Sequence, residues 1–115
     1  MSASDKTLLD KLNTRQHTTV NYAFGSIYLE KFGHVCMCGH WPTSIRAQIT
    51  TYTYTGIIPS TYRPVSDVRL VAWDNESFGV QHLVQLTTSG NVIVTCNRVG
   101  NVSLHYSAAW ATWID

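Results

Sequence analysis

Two groups of side chains in this sequence have types and spacings that could carry chemistry. The first is His34, Cys36, Cys38 and His40, at i, i+2, i+4 and i+6. On an extended strand such residues share one face, and imidazole and thiolate are the usual ligands of zinc. Length argues against a metal centre. At about 3.3 Å per residue the outer pair stand roughly 20 Å apart, whereas each ligand of a tetrahedral zinc lies about 2.0–2.3 Å from it. The run reads better as a strand whose small thiols pack on a neighbour, and neither a metal nor another cofactor is expected. The second group is Trp73-Asp74-Asn75-Glu76. Sugars are held by a flat aromatic face against their C–H groups, with amides, carboxylates and Arg for the hydroxyls. An aromatic, two acids and an amide at the end of a strand could shape such a pocket, although packing of Trp73 on a neighbouring strand explains it equally well. Trp41, Trp110 and Trp113 compete with Trp73, and the last two also suit core or subunit packing.

Catalysis has little support. Glu30, Asp67, Asp74 and Glu76 are the carboxylates of the strand-rich region, apart from the terminal Asp115. Asp74 and Glu76 could form an acid/base pair, but glycosidase carboxylates normally come from different elements lining a groove. Nucleophile-elbow, phosphate-loop and zinc-protease motifs are missing from the sequence. The expectation is a protein that is not an enzyme. The sequons Asn75-Glu-Ser77 and Asn101-Val-Ser103 carry little weight without a secretory route.

The elements that must position these residues follow from composition and periodicity. The 115 residues suit one domain with a modest core. Charged residues make up 13%, against roughly 25% in typical soluble proteins, and Thr, Ser and Asn replace them, as strands and turns favour. So few charges suggest that part of the surface is hidden in an oligomer. A net charge of +1 gives no electrostatic case for nucleic acid, and no apolar run reaches the roughly 18 residues of a membrane span. Three cysteines cannot pair completely, and a bridge between Cys36 and Cys38 would be strained, so free thiols are expected.

Residues 1–12 read as a short helix: Ser2 or Ser4 serves as N-cap, Asp5 lies in the first turn, and Leu8, Leu9 and Leu12 form one apolar edge. From Val20 the pattern becomes β, with a kink or bulge at Gly25 and a hairpin closed by Lys31-Phe32-Gly33-His34. Val35–Trp41 runs back, and Ser44–Thr55 alternates along its length, with Ile45, Ala47 and Ile49 on one face. Gly56–Val71 holds Pro59 and Pro64, which exclude a helix and mark a rigid crossover over the end of a β core. Further strands are expected at Val68–Trp73, Val80–Leu86, Val92–Cys96, Val102–Tyr106 and Ala109–Ile114, with turns at Asp74–Gly79, Ser89–Asn91 and Val99–Asn101. The fold class is therefore all-β, a small antiparallel β-barrel or sandwich of about seven or eight strands.

Two stretches carry a family resemblance. The run from Ser2 to Leu12 is similar to a short linker that recurs in bacteriophage tail-fibre and baseplate proteins just before a trimeric tip domain. The order of features from Ser26 to Asp115 resembles the C-terminal head domains of receptor-binding proteins in siphophages of Gram-positive bacteria, the lactococcal phages among them. Its parts are Gly25–Val35, then Ile58-Pro-Ser-Thr-Tyr-Arg-Pro64, then Val84–Val92, then the aromatic end Trp113-Ile-Asp115. The resemblance implies a helical linker or trimer neck over residues 1–18 and a β-barrel head over 19–115. It also implies a homotrimer in the virion at a tail tip or baseplate, assembled in the bacterial cytoplasm and joined to other tail proteins through its N-terminus. Its partner would be host cell-surface polysaccharide, bound without cleavage, with neither nucleic acid nor membrane insertion involved. A purely structural tip domain is the alternative. Such heads combine an aromatic, an acid and His or Arg, which places Trp73 and Asp74 in those parts with His82 or Arg98 beside them, and with Asn75 and Glu76 in the same loop.

Overall fold

Alternation of apolar and polar residues fixes which face of each strand is inward, and turn chemistry fixes where the strands reverse. The computed structural model describes Asp5, Lys6 and residues 15–113. Its strands are β1 (Arg15–Tyr22), β2 (Gly25–Phe32), β3 (Val35–Pro42), β4 (Ile45–Ala47), β5 (Thr51–Tyr54), β6 (Val68–Asp74), β7 (Gln81–Leu86), β8 (Val92–Thr95), β9 (Gly100–Val102), β10 (Leu104–His105) and β11 (Ser107–Ala111). All pairings are antiparallel. One sheet has the order β1-β2-β3-β11 and a second the order β10-β6-β7-β8-β5, while β4 and β9 form a separate pair. The inward rows of the two larger sheets meet in one core. Ile27, Leu29, Cys36 and Cys38 come from the first sheet, and Ala72, Val84, Leu86, Val92 and Val94 from the second. Each fully buried side chain of this size contributes about 1.5–3 kcal/mol through removal from water.

The all-β, antiparallel expectation holds, with two corrections. Neither large sheet closes on itself, so the architecture is the sandwich and not the closed barrel. The described residues also form eleven short strands where seven or eight were expected. The extra ones arise where a periodic run is interrupted. Ser44–Thr55 breaks at residues 48–50, where the Tyr52 hydroxyl accepts the Gln48 N–H at 2.9 Å. β4 and β5 then pair with different strands, and Ile49 is left exposed. The expected kink at Gly25 is instead a hairpin turn at Ala23-Phe24, with Tyr22 paired to Gly25. Its signal was hidden because Phe24 is a core residue, and Gly25 has φ 139°, with Trp41 O only 2.0 Å from where a Cβ would lie. The last strand begins at Ser107 rather than Ala109.

The helix expected over residues 1–12 lies outside the described residues except for Asp5 and Lys6, whose backbone is helical. β1 begins at Arg15, inside the stretch 1–18 assigned to the neck. No helix among the described residues is long and apolar enough to cross a membrane. The crossover between β5 and β6 contains a single 3₁₀ turn at Ser60–Tyr62 and packs on both sheets. Ile58, Tyr62 and Pro64 are buried, Ile58 N donates to Gly90 O at 2.9 Å, and Trp110 Nε1 donates to Tyr62 O at 2.8 Å. Lys31, expected at a turn, is buried beneath it and donates to the carbonyls of Thr61 and Trp113 at 3.0 and 2.9 Å.

Candidate functional site

The sequence-predicted residues divide at Trp73. Consecutive strand residues point to opposite faces, and β6 places Trp73 outward, 52% exposed, and Asp74 inward among buried side chains. The aromatic and the acid therefore do not share a pocket. Asp74 is brought together with His82, Arg98 and Glu76, but as an internal network. Its carboxylate accepts from His82 Nε2 at 3.0 Å, Arg98 Nε at 3.1 Å, Glu76 N at 2.9 Å and Ser103 N at 3.2 Å. The Asn97 backbone N–H donates to His82 Nδ1 at 3.0 Å, which assigns the ring proton to Nε2, facing Asp74. Burial alone would raise the Asp74 carboxyl, but the hydrogen bonds from His82, the two backbone N–H groups and Arg98 outweigh it and hold the carboxyl below its ordinary value. Ser103 Oγ donates to Glu76 at 3.0 Å, and Arg98 also donates to the carbonyls of Val99 and Asn101. The network ties the ends of β6 and β7 to the segment 97–103. Asp74 and His82 spend their polar groups inside the protein, while Glu76 and a quarter of the Arg98 side chain reach the surface.

A second chain of polar groups runs through β3. His40 Nδ1 bonds the Leu104 carbonyl at 2.9 Å, so it carries the proton, and His40 Nε2 accepts from the Tyr22 hydroxyl at 2.9 Å. Tyr22 in turn accepts from Tyr106 at 3.0 Å, whose ring stacks on His40 with centroids 4.4 Å apart. Burial pulls the His40 pKa down to about 4 against the hydrogen bond to Leu104 O, and raises both tyrosines. Cys36, Cys38 and His40 do share the inward row, whereas His34 sits in the turn after β2 and is exposed. The cysteines are free thiols, and burial pushes Cys36 up to about 12 and Cys38 to about 11, which makes them poor nucleophiles and metal ligands. No group of three or more His, Cys, Asp or Glu among the described residues is placed to hold a metal ion.

On the opposite, outward side of β3 lies a cleft of about 860 Å³. Gly39 is its floor. It pairs with Tyr28 on one side and Ser107 on the other, and a Cβ there would meet nothing within 4 Å. Trp41, two residues on along the same face, is 73% exposed and forms an aromatic edge. Asn75, His105 and Ser107 line the far side, and Asn75 is positioned by its N–H bond to Ser103 O at 2.9 Å. The near side is saturated. Tyr28 donates its hydroxyl to Glu30 at 3.1 Å and accepts from Arg15 at 3.1 Å, while His40 and Tyr106 are occupied by the buried chain. Of these three rings only Tyr28 lies on the outward face with Gly39, while His40 and Tyr106 are buried beneath it and stack on each other. The side chains of Trp41, Asn75, His105 and Ser107, by contrast, line the cleft and make no hydrogen bond among the described residues. Among the described residues no carboxylate, Lys or Arg lines it. Asn75 and Trp41 are candidates in the sequence, and a further signal for this place is a glycine in mid-strand, which weakens a strand and often marks a close approach by a ligand or another backbone.

Trp110 is buried and Trp113 is 70% exposed. A smaller hollow of about 440 Å³ lies on the outward face of the five-stranded sheet, beside Val71, Leu83 and Ile93. The chain matches no protein-family model, and no curated protein is similar to it.

Proposed function

We propose that this chain is the non-catalytic head of a phage receptor-binding protein, at the tip of a tail fibre or baseplate in the virion, and that it recognises host cell-wall saccharide in the cleft over Gly39. The observation that carries the reading is the division of that cleft into two sides. A sugar ring has an apolar C–H face and a rim of hydroxyls. The ring of Tyr28, held by Glu30 and Arg15, and the exposed Trp41 indole suit the first, and the side chains of Asn75, His105 and Ser107, which have no hydrogen-bond partner among the described residues, suit the second. The uncharged lining formed by the described residues favours a neutral sugar. Placement supports the same reading. The described sheet begins at Arg15, paired with Phe32, while Trp41 and Pro42 lie at the other end of the strands. Attachment to other tail proteins through the N-terminus would leave the cleft facing outward. Exposed Phe32, Val35 and Met37 near the entry point support assembly as a homotrimer there. The same apolar patch also suits a purely structural tip, which the binding experiment separates from a receptor.

The experiment is a glycan array of neutral bacterial cell-wall oligosaccharides, read with the wild type and with Gly39→Val. The valine enters space free of other atoms, so the variant folds while its side chain occupies the floor. Loss of binding by about tenfold or more, roughly 1.4 kcal/mol, is expected. Retention of no glycan by the folded wild type would leave the structural tip as the better account, and unchanged binding by Gly39→Val would remove the cleft. A light-scattering mass near three times 12.9 kDa is expected, and the mass of one chain would remove the trimer.

A further inference from the structure

The cleft does not end at its far side. The chain from Leu104 to Ala111 runs out of one sheet and into the other, with Tyr106 buried at the passage and His105 and Ser107 on the outward side. His105 lines the cleft and is also the direct cross-strand partner of Trp73 on β6. Both side chains stand on the exposed face of that pair, where directly opposed Cβ atoms lie about 4.5–5.5 Å apart. Gly39, Ser107, His105 and Trp73 therefore form one uninterrupted outward strip across the junction of the two sheets. Two inter-strand steps and two residues along the strand give it a length of roughly 16 Å. Asn75, two residues beyond Trp73, lines the cleft as well, so the indole borders the site on two counts. At the Gly39 end the strip meets Tyr28 and the Arg15–Glu30 pair that holds it, with the exposed Trp41 indole alongside, and at the other end it carries the exposed Trp73 indole.

We infer that Trp73 is a second stacking platform of the same site, and that the ligand is an extended, uncharged oligosaccharide chain laid along the strip rather than a terminal sugar held in the cleft alone. The inference rests on the saccharide reading above. It assigns the cleft to one or two sugar units and Trp73 to units further along the chain, with His105 between them bonding to both parts. The indole gives a flat apolar face and asks for no particular hydroxyl pattern, so it adds affinity with length more than it selects a sugar.

The test measures affinity for a series of neutral homo-oligosaccharides from disaccharide to hexasaccharide, with wild type, Trp73→Ala, Trp73→Phe and Gly39→Val. Expected for the wild type is tighter binding as the chain lengthens. Trp73→Ala removes about tenfold from hexasaccharide affinity and leaves the disaccharide within about twofold, Trp73→Phe restores most of the length dependence, and Gly39→Val loses every length. Trp73 is exposed, so a thermal melt close to wild type is expected for both of its variants. A length dependence that survives Trp73→Ala overturns the extension and leaves the cleft standing, as does an equal loss at all lengths. Binding that survives Gly39→Val overturns the cleft and the extension with it.

Discussion

Asp74 and Asn75 are neighbours in sequence and belong to opposite kinds of place. Asp74 sits in a network in which the carboxylate accepts four hydrogen bonds and the polar tips of His82 and Arg98 are spent on protein partners. Asn75 borders a cleft and its side chain makes no hydrogen bond among the described residues. Residue type alone does not separate them, since a histidine occurs in both, His82 beside Asp74 and His105 beside Asn75. The phase of β6 does. It turns Asp74 inward and leaves Trp73 and Asn75 outward, so a stretch that reads as one pocket is divided between a structural bolt and a surface.

The largest effect expected from this division is on stability. Asp74→Ala leaves the His82 Nε2–H, the Arg98 guanidinium and the N–H groups of Glu76 and Ser103 without their acceptor. Breaking a buried pair in this way costs about 3–5 kcal/mol, which urea unfolding would register as a large fall in midpoint. Asn75→Ala, one residue away, should change stability by no more than about 0.5 kcal/mol while weakening glycan binding. Equal stability losses for the two would show that both are structural and would collapse the distinction.

The second buried network gives the next effect, read against pH. The unfolded chain protonates His40 near its ordinary value of 6.5, whereas burial holds the folded ring unprotonated down to about pH 4. The unfolded state thus binds more protons between those values. Stability is full above pH 6.5 and falls as the pH drops toward 4, by up to about 3 kcal/mol at about 1.36 kcal/mol per unit. His40→Gln should flatten that slope whatever it does to stability at neutral pH. Below the ordinary carboxylate range a further loss is expected from Asp74, whose lowered folded value makes its contribution full above the unfolded value and lost on acidification through the folded one. Denaturant titrations at several pH values check both, and a flat wild-type profile from pH 7 to 4 would contradict the burial of His40.

What the sequence made legible follows from how local each signal is. The alternation of Val68–Trp73 and of Val80–Leu86, the glycine turns near Gly33 and Gly90, and the proline-stiffened crossover all report on neighbours within a few residues, and each appears where it was read. The hairpin at Ala23-Phe24 and the break at residues 48–50 were not legible, because Phe24 is held by the core and the break by a hydrogen bond to a tyrosine from the next strand. The polar residues suffered the same limit. Asp74, His82 and Arg98 read as companions in the sequence and do lie together, but whether they face water depends on Ser103 and Asn97, which supply backbone donors from remote segments. The cleft is assembled from four separate stretches of chain. Of the residues read as candidates in the sequence, Asn75 and Trp41 line it, while Gly39, bare in mid-strand, is a signal the sequence reading does not use.

Gly39 offers a smaller effect of opposite sign. Glycine within a strand is less favourable than alanine by roughly 0.5–1 kcal/mol, and β-branched residues suit strands better still. Since the space above Gly39 is open, Gly39→Val should raise the unfolding free energy by up to about 1 kcal/mol while abolishing binding. A stabilising change that removes function would mark the glycine as kept for the cleft. A loss of stability would instead mean that the floor packs against something the valine displaces.

The smallest effect concerns how the saturated wall is held. Tyr28 is fixed over the floor by Glu30 and Arg15, a pair on the exposed face of β1 and β2 whose Nε–Oε1 distance is 2.6 Å. Solvent screens such a pair, so Glu30→Gln should leave the melting temperature near that of wild type. Its consequence is local. The amide is a weaker acceptor for the phenol, Arg15 loses its partner, and the Tyr28 hydroxyl is freed to turn toward the cleft. Binding of neutral oligosaccharide should then weaken by about twofold to fivefold, less than 1 kcal/mol, through loss of a pre-set ring orientation. Tyr28→Phe separates orientation from hydrogen bonding. If the hydroxyl serves only to hold the ring, this variant should behave like Glu30→Gln. A much larger loss for Tyr28→Phe would mean that the hydroxyl itself meets the ligand and that the wall is not saturated.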